Sequence, residues 1–415
     1  MAEAALAERT GALPFRNHPD RAAAIGEAHA RPPLSLHVPS TIHHLAFACV
    51  GRDVAGELYG AVFGAPNTTA ARHTILARDG LTIKLEPHTE FTTLTLVSSD
   101  GRAPGEDLIA RIAGDVPDGA ELLVSLRVFV VDRATARAHP HDIGGVLRGN
   151  IDVSSSFRVG HDGFMEMHVA APAIGPEQLG RRVQRVLELE TYRVMTLIGL
   201  PTARRIGPIL SQLEADLAEV TNALTYGEEG DAAILDKLQD LSARTEAMRS
   251  ATRFRFSASR AYAALVDERL LSLDEEKHGE RPTLSGFIRT RLAPAVRTIA
   301  STEQRQEELS MAVGRALDLL RTRVDVSMNK GNQEILRSMN ERQQRQLVLS
   351  EAVESLSVIA ISYYLLGLLA YPVDALLDAG VLPISRTLAL GLLAPVVVIG
   401  IWSALKRVRR HWRTD

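Results

Sequence analysis

Two long apolar runs near the C-terminus constrain the fold of this chain more than any other feature. The first, Ser355 to Val373, and the second, Thr387 to Leu405, are each 19 residues long and contain no charged residue. As helices that rise about 1.5 Å per residue, both are long enough to cross a hydrocarbon core about 30 Å thick. The alternative is a pair of buried helices in a soluble core, but such helices usually keep a polar face, and these runs have none. The sequence therefore predicts a two-helix transmembrane hairpin with a basic tail over residues 355–415.

The charges that flank the two runs predict the orientation of the hairpin. The linker 374–386 contains one arginine against Asp374 and Asp378. The tail contains five basic residues: Lys406, Arg407, Arg409, Arg410 and Arg413. Because basic segments stay in the cytoplasm, we expect the tail inside, the linker outside and the large N-terminal part inside. The opening residues lack a basic leader followed by an apolar run, so we expect no signal peptide and a location in the plasma (inner) membrane.

Alternating apolar residues in the first part of the chain are typical of β-strands. Strand patterns cover residues 34–38, 43–51, 71–77, 81–87, 91–99, 121–132, 146–159 and 163–171. Short turns separate several of these runs, and helical patterns at 53–63 and 105–112 interrupt the series. We therefore predict an α+β cytosolic domain with a mostly antiparallel sheet over residues 1–175.

From Pro176 onward the pattern changes to helical periodicity, which predicts a domain of long, coiled-coil-like helices over residues 176–354. The predicted helices are 209–226, 232–273 and 283–354. Breaks that contain glycine or proline are expected at 199–201, 207–208, 227–230 and 279–282. No break separates the last helix from the first apolar run, so we expect one helix to continue into it.

An apolar stripe with an 11-residue repeat follows the last of these helices. Its members are Leu309, Val313, Leu317, Leu320, Val324, Met328, Ile335 and Met339. A stripe of this length has to be covered, either by the preceding helices or by a second copy of the chain. We expect the second, and hence a homo-oligomer that associates through residues 303–354.

The same helix turns polar after about Asn329, and its amide side chains include Asn329, Asn332 and Asn340. These three residues are candidates for a ring of amides around a water-filled axis in an oligomer. The alternative is a solvated face close to the membrane. Both interpretations stay open at this point.

The chain contains none of the motifs that define the common enzyme classes, such as a phosphate-binding glycine loop, GxSxG or HExxH. We therefore expect no enzyme activity, no cofactor and no metal.

Histidines cluster in residues 18–44 and at His139 and His141, but they lack the spacing of a helical ligand pair. His43 and His44 cannot share one face of a strand, so one of them is expected at the surface. A net charge of -3 gives no basic field for nucleic acid.

The N-terminal segment 17–33 combines charged residues with rigid prolines. Its candidate contacts to a ligand or partner are His18, Arg21, Glu27, His29 and Arg31. Glu27 and Arg31 are four residues apart, a spacing that stabilises a short helix, and the following prolines end it. The alternative role for this segment is a clamp that packs against the α+β domain.

Three segments resemble the landmarks of a bacterial family of uncharacterised membrane-anchored proteins. They are the N-terminal segment 17–33, FRVGHDGF at 157–164, and the run 340–372. The resemblance covers essentially the whole chain. It implies a cytosolic domain anchored by a C-terminal hairpin and no particular activity, because the family is known as a domain of unknown function.

The order of the segments is also similar to that of CorA-type magnesium channels. Those channels have a Gly-Met-Asn motif at the exported end of the first span, where residues 369–374 here read LAYPVD. The resemblance therefore concerns architecture rather than transport.

Two functions follow as hypotheses. The first is a membrane-anchored cytosolic scaffold or sensor that contacts the lipid bilayer and an unknown protein or small-molecule partner. The alternative is a CorA-like oligomeric cation channel or transporter. The two apolar runs contain no Asp, Glu, Lys, Arg or His. Transporters usually place an ionisable residue near the midplane, so this composition favours the first hypothesis.

Overall fold

The chain divides into two compact units, Met1–Leu317 and Asp318–Asp415. The computed structural model describes residues 18–21, 24–25, 32–48, 54–64, 74–78, 80–100, 109–110, 112, 114, 121–136, 143–227, 229–378 and 384–411. In these ranges, the first unit contains a β-sheet and the helices that pack on it. The second unit contains the end of a long helix and one further helix.

The strands of the first unit form one sheet. In the described ranges the strands are β1 (Ser40–Ala48), β2 (Thr74–Arg78), β3 (Leu81–Pro87), β4 (Phe91–Ser98), β5 (Glu121–Asp132), β6 (Ile143–Leu147), β7 (Ile151–Val159), β8 (Met165–Ala171) and β9 (Glu276–Lys277). Their order across the sheet is β2-β3-β4-β1-β5-β8-β7-β6-β9. Neighbouring strands are antiparallel except β5 and β8, which are parallel. The prediction of a mostly antiparallel sheet is confirmed.

Long helices follow the sheet, as predicted. The helices whose two ends lie in the described ranges are α1 (Val54–Phe63), α2 (Pro176–Leu197), α3 (Gly199–Tyr226), α4 (Asp231–Leu273), α5 (Leu284–Asp378) and α6 (Arg386–His411). The predicted break at 207–208 is wrong, because Pro208 lies inside α3. Pro208 removes the hydrogen bond to the carbonyl of Arg204, but both residues are exposed, so water can bind that carbonyl instead.

Each face of the sheet has its own hydrophobic core. On one face, Leu126 and Val128 of β5 pack with residues of α2, α4 and the start of α5, including Val183, Val266 and Ile288. On the other face, residues of β1, β3 and β4 pack against α1. On the face that α2 covers, the sheet and the long helices thus share one core. The sheet and the helices up to Leu317 form the first compact unit, and the second begins at Asp318.

Two strand predictions are wrong. Residues 32–37 have no regular secondary structure and form a strap, which ends just before β1. The predicted strand 146–159 is two strands, β6 and β7, separated by a turn at 148–150. Gly149 and Asn150 have positive φ in this turn, at 95° and 61°, which reverses the chain. Because apolar residues alternate on both sides of the turn, the sequence pattern predicts one continuous strand.

The second unit contains two helices that are long and apolar enough to cross a membrane. One is the continuation of α5, and the other is Arg386–Ala404 in α6. The predicted run boundaries Ser355, Val373 and Thr387 lie in these helices, as does Leu405. Arg386 forms a bidentate ion pair with Asp374, with Nε to Oδ1 at 2.8 Å and Nη2 to Oδ2 at 2.9 Å. This pair ties the end of α5 to the start of α6.

Candidate functional site

Polar side chains form a row across three neighbouring strands on the sheet face that α2 covers. Antiparallel pairing places His44 of β1 opposite Thr95 of β4, and Thr95 opposite Lys84 of β3. In the adjacent row, Thr93 lies opposite Glu86. Alternate residues of a strand share a face, so all five side chains point the same way. All five residues are buried.

A cavity of about 40 Å³ lies between this row and helix α2. The cavity has room for one or a few water molecules. Its apolar wall is formed by Leu34, Leu36, Ile42, Phe91, Val97, Val183, Leu187 and Tyr192. Its polar wall includes His44, Lys84, Glu86, Thr93, Thr95 and Thr191. Apolar walls with a few convergent polar groups are typical of small-molecule sites.

Lys84 is the most deeply buried cation of the cavity, with only 2% of its side chain exposed. Its Nζ lies 2.9 Å from Oε1 of Glu86, with which it forms an ion pair but no hydrogen bond. Lys84 Nζ also donates a hydrogen bond to the carbonyl oxygen of Pro32 in the strap, at 2.8 Å. Lys84 therefore contacts both the sheet, through Glu86, and the strap, through Pro32.

The hydrogen bonds of His44 define its tautomer. The hydroxyl of Thr191 donates to the carbonyl of Leu187 at 3.0 Å, so Thr191 Oγ1 accepts from His44 Nε2 at 3.1 Å. His44 Nδ1 then accepts from the hydroxyl of Thr95 at 2.9 Å. Burial, and then the charge of Lys84, lower the pKa of His44 to about 4. His44 is therefore a neutral imidazole at neutral pH.

The strap closes the cavity against helix α2. The backbone N–H of Leu36 donates to the carbonyl of Pro176 at 3.0 Å, and the Leu36 side chain is buried. At Gly180 of α2, a Cβ atom would overlap the carbonyl oxygen of Leu34. Only glycine lets the strap backbone pass this close to the helix.

We expect Gly180→Ala to displace the strap and to destabilise the first unit by about 1–3 kcal/mol, because the backbone of Leu34 has to move. Amide hydrogen exchange should show faster exchange at Leu36, whose N–H the strap holds. Gly314→Ala in α5 is the matched control, because a Cβ there meets nothing within 4 Å. Unchanged protection of Leu36 in Gly180→Ala would contradict the close approach.

The opposite face of the sheet contains a second polar network around His43. Arg127 Nε donates to His43 Nε2 at 2.9 Å, and Arg127 Nη1 pairs with Asp162 at 2.6 Å. Asp162 lies in the turn before β8, in the segment 157–164. Burial, and then the charge of Arg127, lower the pKa of His43 to about 4. The expectation that His43 or His44 lies at the surface is wrong, since both are buried, on opposite faces.

Among the described residues of the N-terminal segment, those at its end approach the cavity. His18 and Arg21 are exposed, and His18 Nδ1 accepts from the backbone N–H of Asp20 at 3.2 Å. Glu27, His29 and Arg31 lie outside the described residues. Pro32, the next residue, reaches Lys84. The amides Asn329, Asn332 and Asn340 are exposed on α5 in the second unit, and His139 and His141 lie outside the described residues.

Sequence reasoning missed Lys84 and Glu86. In β3, the apolar Leu81, Ile83 and Leu85 alternate with polar residues, a pattern typical of a strand with one wet face. Helix α2, almost a hundred residues later in the chain, covers the face that carries Lys84 and Glu86 and excludes solvent from it. Two opposite charges two residues apart in a strand are the signal that could have suggested a paired, buried role.

The fold and the cavity define an α+β protein with a small cavity of apolar and polar walls between its sheet and its first long helix, and with two long apolar helices near its C-terminus. Residues 16–412 match the family described as "Protein of unknown function (DUF3422)". The chain belongs to this family, and the predicted resemblance to a family of unknown function is confirmed. No curated protein matches the chain.

Proposed function

We propose that this protein is a membrane-anchored sensor or scaffold whose N-terminal unit works in the cytoplasm. The observation that supports the anchor is the exposure of its two long apolar helices: 11% and 6% of the residues in their apolar windows are buried. Exposed apolar helices of this length are more stable in lipid than in water. The basic tail supports cytoplasmic termini. The resemblance to bacterial membrane-anchored proteins supports the plasma (inner) membrane.

The cavity under the strap supports the sensor function. A buried ion pair such as Lys84–Glu86 rarely adds stability over apolar residues of the same size, so its presence in the cavity supports a role in binding. A small ligand with an acceptor oxygen would take the place of the Pro32 carbonyl at Lys84. That exchange releases the strap, and a partner protein can detect the released strap.

A cysteine in the linker is expected to react with a membrane-impermeant thiol reagent in intact cells, whereas one in α5 ahead of the membrane is not. Ser385→Cys and Gln333→Cys place single thiols at exposed positions when Cys49, the natural cysteine, is replaced by alanine. Both should react after the membrane is permeabilised, which controls for access. Labelling of Gln333→Cys but not Ser385→Cys in intact cells would invert the proposed orientation, and labelling of both would refute the anchor.

A CorA-like oligomeric cation channel is the second candidate function. The exposed amides Asn329, Asn332 and Asn340 on α5 favour it, because they could line an axis in an oligomer. Two spans in one chain cannot enclose a pore, so this function needs several copies. Cation flux into liposomes that contain the purified protein would favour the channel. If the liposomes stay impermeable to cations although the protein is correctly inserted, the result would favour the sensor.

We further propose that the protein is not an enzyme and uses no cofactor, metal or nucleic acid. The lack of catalytic motifs and the net charge of -3 support this proposal. Within the described residues, no group of three or more His, Cys, Asp or Glu could hold a metal ion. Its proposed partners are the lipid bilayer, a second copy of the chain, and a small molecule or protein that acts on the strap.

A further inference from the structure

Four arginines gather where the start of helix α2 meets the end of helix α4. Arg182 and Arg185 both donate from Nη1 to the carbonyl oxygen of Ser272, at 3.4 and 3.1 Å. Because both reach one oxygen, their guanidinium groups are close neighbours. The charges of Arg148 and Arg181 act on the same group, since burial and then the charges of Arg185, Arg148 and Arg181 lower the pKa of Arg182, while the charge of Asp274 raises it.

This cluster has fewer carboxylates than arginines, and they lie farther away than those of other arginines in the first unit. Arg305 and Arg255, for example, each lie 2.6 Å from a glutamate oxygen. In the part of the chain that the structure describes, Arg148, Arg182 and Arg185 form no salt bridge, and the pair of Arg181 with Glu177 is long, at 3.7 Å. The charge of Asp274 also acts on Arg182. Two carboxylates against four arginines leave the cluster with a net positive charge.

A pocket of about 280 Å³ opens beside the cluster. It is lined by Arg181, Arg185, Arg269, Glu188, Gln184 and Pro33. Three arginines and one glutamate give this lining a formal charge of +2. Glu188 is already paired with Arg269 at 2.6 Å, so it does not neutralise Arg181 or Arg185.

We propose that this pocket binds a phosphate group, either as inorganic phosphate or as a phosphomonoester. A guanidinium has five N–H donors in a plane, and one bond to Ser272 leaves most of those of Arg185 available. A tetrahedral dianion accepts from two arginines at once and offsets the repulsion between them. The phosphate group could belong to a soluble molecule or to a lipid headgroup. The proposal does not depend on the function of the cavity.

The test uses the full chain, purified in mild detergent, and two probes. Isothermal titration with inorganic phosphate at constant ionic strength tests the soluble source. Micelles that contain phosphatidic acid, compared with micelles that contain phosphatidylcholine, test the lipid source. We expect saturable binding of at least one probe, and Arg181→Gln with Arg185→Gln should weaken it by about 100-fold, because charge-assisted hydrogen bonds are lost.

The matched control is Arg204→Gln with Arg205→Gln, which removes the same charge from exposed positions on α3 and should leave binding unchanged. Circular dichroism verifies that the variants are folded. If the double variant does not fold, Arg185→Lys keeps the charge, removes the planar fork and should still weaken binding. The absence of saturable binding by both probes would overturn the proposal, and so would equal weakening by the control.

Discussion

Replacing Lys84 by methionine is expected to destabilise strands β3 and β4 by about 3–5 kcal/mol. The substitution leaves the carboxylate of Glu86, which is only 10% exposed, without its cation. It also leaves the Pro32 carbonyl without its donor. Amide hydrogen exchange of peptides from the two strands measures the change locally, which is needed because a chain of two units does not unfold in one step.

A second substitution should largely reverse this loss. When Glu86→Leu is added to Lys84→Met, no charge remains buried at the pair, and the stability should return to within about 1 kcal/mol of the natural protein. Lys237→Met is the matched control, because Lys237 pairs with Glu229 at 2.7 Å where both side chains are far more exposed. That change should cost little stability, because an exposed ion pair contributes little. If Lys84→Met and Lys237→Met lower the stability by the same amount, solvent reaches the Lys84–Glu86 pair.

The variant with Lys84→Met and Glu86→Leu also tests whether the fold requires the ion pair. If apolar side chains replace Lys84 and Glu86 without loss of stability, the fold does not need the pair. The pair is then free to serve whatever enters the cavity, which is the basis of the proposed sensor. Amide hydrogens of the strap should also exchange faster in this variant, because the carbonyl of Pro32 has lost its hydrogen bond to Lys84.

The sequence predicts those parts of the fold that depend on neighbouring residues. The bounds of β3 and β5 follow from local alternation, and the breaks before α4 and α5 follow from clustered glycines and proline. The strap was mistaken for a strand because residues 34–38 also alternate. Whether such a run becomes a strand depends on a partner strand, and here its N–H at Leu36 bonds to Pro176 instead.

The candidate site was less predictable because it depends on distant contacts. Lys84, His44 and Thr191 come from three separate parts of the chain and meet only when α2 lies across the sheet. The contacts predicted in the N-terminal segment lie in the same segment as Pro32, although the described candidates, His18 and Arg21, do not line the cavity. The described residue that reaches the cavity, Pro32, was expected only to end a helix, and it acts through its backbone carbonyl.

Val324→Glu with Ile335→Glu is expected to convert an oligomer into a folded monomer. The 11-residue stripe of α5 is covered inside the first unit, where Leu309 and Val313 are 4% and 2% exposed. Farther along the helix, Ile335 is 58% exposed. A lone helix with an uncovered apolar stripe gains stability by packing, and a second copy presents the same stripe. If α5 continues into the membrane, all copies share one orientation, so the helices can pair in parallel.

Val313→Glu is the matched control, since it places the same charge one repeat earlier in the stripe. Its site is buried within the first unit, so this variant should lose several kcal/mol of stability and part of its helical signal. Val324→Glu with Ile335→Glu should instead keep the far-ultraviolet circular dichroism of the natural protein, because Ile335 is exposed within its own chain. Sedimentation in mild detergent gives the mass of each variant. A natural protein that is monomeric at every accessible concentration would refute association through α5 and with it the oligomer that a channel requires.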